Sequence, residues 1–129
     1  MALPQIVAIA GAVLLALVMI FQVLLAAGLP LGRAAWGGEH RVLPPRLRRA
    51  SLSASPALGA AAWILLARVG LVEPGADSTG VRVLTWIFVG LFSMNTLGNL
   101  ASKSRTERYL MTPATLILVG CFLVAGLSG

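Results

Sequence analysis

The stretch Gln5-Ile-Val-Ala-Ile-Ala-Gly-Ala-Val-Leu-Leu-Ala-Leu-Val-Met-Ile-Phe-Gln-Val-Leu-Leu-Ala-Ala27 decides the fold. It holds no charged residue, and its length falls inside the roughly 17–25 residues that a membrane-spanning helix requires. A secretory signal would begin with basic residues and carry an apolar core of about 7–15 residues. Here no Lys or Arg precedes the core, the core is longer, and the basic residues come after it. The reading is a retained helix with its N-terminus outside.

Three more stretches have the same character: 51–72, with Arg68 near its far end, then 83–101, then 109–127, the shortest. The composition agrees. Hydrophobic residues make up 58% of the chain and charged ones 11%, against about a quarter charged in soluble domains. A chain of this size cannot hide so much apolar surface within itself, and lipid removes the problem. The expectation is an all-α membrane protein with one domain over 1–129. Four transmembrane helices (5–27, 51–72, 83–101, 109–127) form a bundle, with a short β-hairpin or tight loop after the first.

The net charge of +6 comes from ten Lys+Arg against four Asp+Glu. Loop 28–50 holds Arg33, Arg41, Arg46, Arg48 and Arg49, and loop 102–108 holds Lys103, Arg105 and Arg108. The remaining Arg68 and Arg82 flank a turn that also carries Glu73 and Asp77. Charge confined to short loops is a topology signal rather than a nucleic-acid surface, and basic loops stay in the cytoplasm. Loops 28–50 and 102–108 are therefore expected inside and both termini outside, in a multi-pass protein of the inner (plasma) membrane. The lone Cys121 allows no internal disulfide and no thiol pair, and reads as a small buried hydrophobe.

The first loop is more elaborate than a tether. Gly37-Gly38 between two short runs signals a turn at positive φ. Hairpin arms are expected near 33–36 and 39–43, with Pro44-Pro45 ending any strand. Trp36 suits either a headgroup-level anchor or the wall of a pocket. His40, the only histidine, reads as a polar loop residue, with a His–Glu site completed across a dimer as the alternative; a metal or haem site needs more ligands than one chain offers, so no metal and no cofactor are expected. Arg46, Arg48 and Arg49 serve as a positive-inside anchor or as a site for an anionic headgroup, with Arg46 and Arg49 on one face if the second helix starts early.

Asn95 and Asn99 are four apart and share a helix face. Buried amides without partners cost a few kcal/mol each. They therefore glue helices together, at about 0.6 kcal/mol per contact, or line a polar cavity at the cytoplasmic end, where Gln22 joins them. Small-residue patterns (Ser51, Ser55, Gly59; Gly98, Ser102) predict packing of the second helix on the third. Ser104-Arg105-Thr106-Glu107 fits a capping box; Thr112 before Pro113 is the competing helix start. Glu107 is expected to pair with an arginine of the first loop.

The string Pro30-x-Gly-x-x-x-Trp36-Gly-Gly-x-His40-x-x-Leu43-Pro44-x-x-Leu47-Arg48, followed by Asn95, Asn99, Ser102-Lys103-Ser104, Glu107 and Pro113, resembles an uncharacterised group of small four-helix bacterial membrane proteins. The resemblance spans essentially the whole chain. It implies the four-helix topology and attaches no activity, substrate or cofactor.

Four function classes remain. The first is a binding or regulatory module whose basic rim contacts anionic lipid or a membrane partner, using Trp36, His40, Arg46, Arg48, Arg49, Asn95, Asn99 and Glu107. The second is a small transporter or channel, as a dimer, with a polar path near Asn95 and Asn99. All four acidic residues fall in loops by this reading, which disfavours proton coupling. An enzyme would need Glu39, His40 and Glu107 to gather as an acid–base set. The last is a structural subunit of a homodimer or larger membrane complex.

Overall fold

The computed structural model describes residues 1–128. Four helices carry the chain: α1 Leu3–Ala26, α2 Pro45–Arg68, α3 Thr79–Leu100 and α4 Thr112–Leu127. Each is long and apolar enough to cross a membrane, α4 when its preceding turn from Glu107 is included. At about 1.5 Å per residue, α1 is about 36 Å long, enough for the roughly 30 Å hydrocarbon core.

Local chemistry sets the ends. Pro4 lies in the first turn of α1, where its missing N–H costs nothing. Gly28, at φ 93°, ends the helix. Helix α2 starts at Pro45, earlier than the apolar run, because proline at the first helical position is already shaped for it. Arg46, Arg48 and Arg49 thus lie on the first two turns of α2 rather than in a loop. The Ser78 hydroxyl caps α3 by accepting the Val81 N–H at 3.4 Å.

The last helix begins at Arg105, after Ser104 accepts the Glu107 N–H at 3.3 Å. It widens into a π turn over Glu107–Met111 before continuing as α4. Pro113 explains the turn. It has no N–H for the Tyr109 carbonyl and its ring crowds that carbonyl, and a wider turn relieves both. Thr112 lies inside this continuous helix, so the competing start at Thr112 is not used.

Side-chain contacts give the helix directions. Gln5, at the start of α1, donates to the Val69 carbonyl beyond the end of α2. At the other end, Arg48 of α2 donates to the Ala26 carbonyl of α1. These two helices are therefore antiparallel, and Asn99 meeting Thr115 makes α3 and α4 antiparallel as well. Arg68 donates to the Gly126 carbonyl at 3.1 Å and so caps the end of α4 from α2.

The main interfaces are α1 on α2, α3 on α4 and α1 on α4; the α2–α3 contact is thinner. This corrects the expected close packing of α2 on α3. Gly98 has no neighbour within 4 Å of where a Cβ would stand, and Gly59 meets only the Met19 sulfur of α1, at 3.6 Å. The close approach comes at Gly11 instead, where a Cβ would stand 2.7 Å from Leu65 and 3.0 Å from Cys121. Ala8, Leu15, Leu65, Leu118, Phe122 and Ala125 complete this core, and Phe88, Phe92 and Phe122 stack with centroids 5.6–6.1 Å apart. Large apolar side chains are exposed on the outside of the helices: Ile6, Val13, Leu17 and Ile20 on α1, Leu52 and Trp63 on α2, Leu91 and Leu97 on α3, Leu116 and Ile117 on α4. Lipid is the surrounding that leaves such faces at no cost.

Among the described residues there is no strand, so the hairpin is replaced by its alternative, a tight loop. Gly37 and Gly38 do take positive φ, 81° and 72°. Two 3-10 turns, Gly32–Ala34 and Trp36–Gly38, take the place of paired arms. A lone two-stranded ribbon has little stability of its own. Here Ala35 and Leu43 gain more by packing on Leu25 as a second small core.

Candidate functional site

The tight loop is bolted to two other segments, α2 and the start of the last helix, at the arginine-rich end of the bundle. The Trp36 indole N–H donates to the Ser51 hydroxyl of α2 at 2.8 Å. The Gly37 N–H donates to a Glu107 carboxylate oxygen at 3.2 Å. The Ser104 hydroxyl donates to the Arg33 carbonyl, and the Arg33 guanidinium donates to the Gly38 carbonyl at 3.0 Å. Gly38 lies so close to Ser104 that a Cβ would collide with its side chain. Trp36 itself takes φ 53°, a strained region for a bulky residue. Loops 28–50 and 102–108 are thus tied together, as expected, but through the Gly37 amide. Glu107 forms no ion pair with an arginine; the one ion pair among the described residues joins Arg82 and Asp77 at the other end.

This lock frames a cavity of about 350 Å³. Its polar groups are Gln22 of α1, Trp36, Asn95 and Asn99 of α3, Glu107, and Thr115 of α4. Its apolar walls include Phe21, Leu58, Phe88 and Phe92. Ala57 and Leu91, on the facing edges of α2 and α3, are exposed, as is Asn95, so the cavity opens between these two helices. The thin α2–α3 contact is what makes room for it. A second cleft, lined by Trp36, Glu39, Asn95, Asn99, Lys103 and Glu107, continues toward the loops. In the other direction the space ends on Phe88, Phe92 and Leu118, with the fully buried Phe122 stacked behind. Phe88 is seven residues from Asn95, about 10 Å along the helix.

Within the cavity the Asn99 amide donates to the Thr115 hydroxyl at 3.4 Å, and that hydroxyl lies 2.9 Å from the Thr96 hydroxyl. The exposed Asn95 side chain makes no hydrogen bond among the described residues, and the Gln22 carbonyl oxygen is buried without a donor. Glu107 is 6% exposed. The expectation that every acidic residue sits in a loop is therefore corrected: Glu107 belongs to the π turn and turns its carboxylate inward. As the third residue after the Ser104 cap, it also lies where the helix dipole favours negative charge.

The other expected site residues lie elsewhere. Arg48 is engaged, its Nε donating to the Ala26 carbonyl at 2.9 Å with its guanidinium against Gly28. With Arg49, Leu52 and Ala26 it lines a shallow groove on the outside of α1 and α2. Arg46 and Arg49 are exposed. The His40 carbonyl lies against Gly32, whose N–H donates to the neighbouring Arg41 carbonyl at 2.8 Å; Glu39 and Glu107 share the loop-side cleft, and His40 is not part of its lining. No group of three metal-binding side chains occurs among the described residues. Sequence reasoning missed Thr115, Ser51 as the partner of Trp36, and the phenylalanine walls. Pro113 was the available signal for the π turn that turns Glu107 inward.

No family model matches this chain, and no curated protein or solved structure is significantly similar to it.

Proposed function

We propose that this protein is a membrane-embedded binding module that holds an amphipathic small molecule in the cavity between α2 and α3. One observation carries the reading: the lining gathers its polar groups at the loop end and gives way at mid-bundle to Phe88, Phe92 and Leu118, with the Phe122 ring packed against the two phenylalanines. A channel for polar solutes needs a polar path past that point. An apolar chamber with a few converging polar groups at one end is the common form of a small-molecule site.

The two loops that gather at this end, with the helix starts that adjoin them, carry eight of the ten Lys and Arg, which supports a cytoplasmic placement, with both termini outside and the inner membrane as the location. Arg46 and Arg49 then face the anionic leaflet and hold the rim of the module against lipid headgroups.

Native mass spectrometry of protein extracted with its membrane lipids tests the reading, beside Ala57→Phe, which fills the cavity mouth. A bound species present on the wild type and lost from Ala57→Phe is expected. Solute flux across proteoliposomes carrying the wild type, blocked by Ala57→Phe, would instead establish a pore and overturn it.

A further inference from the structure

We infer that the cavity selects an amphipathic organic cation, an ammonium group on an apolar body, with Glu107 as its counter-ion. The inference rests on the binding-module reading and names the ligand class.

The charge inventory of the lining is the first argument. The chain carries ten Lys+Arg, yet none of them lines the main cavity, whose only ionisable group is Glu107. The adjoining cleft adds Glu39 and a single cation, Lys103. In a protein of net charge +6, the interior space is thus the anionic place. An anionic ligand would meet a carboxylate there and no arginine.

The second argument is that Glu107 is buried and half-satisfied. A buried carboxylate is tolerable when paired or fully hydrogen-bonded. Among the described residues, Glu107 receives one N–H, from Gly37, and has no cation within ion-pair distance. A carboxylate offers about four lone-pair directions, so acceptor capacity remains for an ammonium group. The Gln22 carbonyl oxygen, buried in the same lining without a donor, is a second vacant acceptor. Asn95 and Asn99 turn their amides into the same space. A ligand rich in donors satisfies these groups, whereas a neutral apolar one leaves them bare.

The third argument is the wall. Trp36, Phe21, Phe88 and Phe92 surround the space. Aromatic faces attract cations, more strongly where water is excluded, and they accept an apolar body equally well. A volume of about 350 Å³ lies at the small end of the roughly 300–1,000 Å³ typical of small-molecule sites. It suits a single-ring or short-chain amine rather than a whole phospholipid.

The test compares three probes of matched size, phenethylammonium, 2-phenylethanol and phenylacetate, by titration calorimetry with the full chain in a neutral detergent at pH 7 and low salt. Wild type is expected to bind phenethylammonium about tenfold more tightly than the alcohol, a charge-assisted contact against a neutral one, and not to bind phenylacetate. Glu107→Gln keeps an oxygen for the Gly37 N–H, so the fold survives while the charge goes; amine and alcohol should then bind alike. Asn95→Lys places a cation at an exposed lining position and should abolish amine binding on its own. Equal binding of amine and alcohol by wild type overturns the cation assignment and leaves the binding cavity standing, as does discrimination that survives in Glu107→Gln. Saturable binding of none of the three overturns both readings.

Discussion

The bond between Trp36 and Ser51 gives an asymmetry that can be measured. Ser51 is 0% exposed, whereas Trp36 is 43% exposed, and the indole N–H donates to the Ser51 hydroxyl at 2.8 Å. Trp36→Phe keeps a ring but removes the donor. The Ser51 oxygen is then buried without it, at about 1–3 kcal/mol. Ser51→Ala removes the acceptor instead. The indole N–H belongs to a half-exposed side chain and finds water, so the cost is only the net bond, about 1 kcal/mol or less. Trp36→Phe should therefore be the more damaging change, and the double variant should cost less than the two singles together, by about 1 kcal/mol. Reversible unfolding in mixed micelles of dodecyl maltoside and increasing dodecyl sulfate, followed by helical circular dichroism, measures all four proteins of the cycle. Additivity within about 0.5 kcal/mol, or a larger loss in Ser51→Ala, would refute the reasoning and mean that Trp36 holds the loop through its ring alone.

Three further outcomes are expected. Both loop glycines have positive φ, but Gly37 has open space where a Cβ would stand while Gly38 meets Ser104. Gly37→Ala should therefore cost about 1–2 kcal/mol of backbone strain and Gly38→Ala clearly more, read in the same micelle titration. Gly11→Val should cost about 1–3 kcal/mol by overpacking against Leu65 and Cys121; Gly98→Val, facing open space, should change little, and the pair checks which helices approach closely. Among the arginines, Arg48→Ala should lower stability by about 1 kcal/mol through its bond to the Ala26 carbonyl. Arg46→Ala with Arg49→Ala should leave unfolding unchanged and weaken retention of anionic lipid by roughly fivefold per residue in native mass spectrometry.

The four helices were legible because length and the lack of charge are sufficient signals in lipid; their starts were not, since α2, α3 and the last helix each begin four to six residues before the apolar run, at Pro45, Thr79 and Arg105. Helix partners were not. Ser51, Ser55 and Gly59 do form a small-residue face on α2, but small residues permit a close approach without choosing who makes it. The choice fell to Gly11, one glycine in a run of Val, Leu and Ala that gives no local sign of its neighbours. The candidate site was half legible. The four-residue spacing of Asn95 and Asn99 put them on one face by helix geometry, and Gln22 lines the same cavity because α1 and α3 both end at the arginine-rich end of the bundle. Glu107 was read as a loop carboxylate seeking an arginine, because its inward turn depends on a widening caused by Pro113, six residues further on. Contacts such as Trp36 with Ser51 join segments whose relation is fixed only by the packed bundle.

The loop explains why the bundle is open where it is. In lipid no hydrophobic force closes a gap between helices, because the tails are as apolar as the side chains. A cavity therefore persists wherever something holds the helices apart. The Trp36-Gly37-Gly38 turn is held to α2 at Ser51 on one side and to the last helix at Glu107 and Ser104 on the other. It occupies the arginine-rich end as a wedge, while at the opposite end Gly11 lets α1, α2 and α4 close together. The same turn that props the space open supplies Trp36 to its wall and the N–H that orients the Glu107 carboxylate. The space and its one charge consequently have a common origin. A change that frees the turn, such as Gly38→Ala, should disturb the shape of the cavity and the position of its carboxylate together, whereas Glu107→Gln should alter the charge and leave the shape.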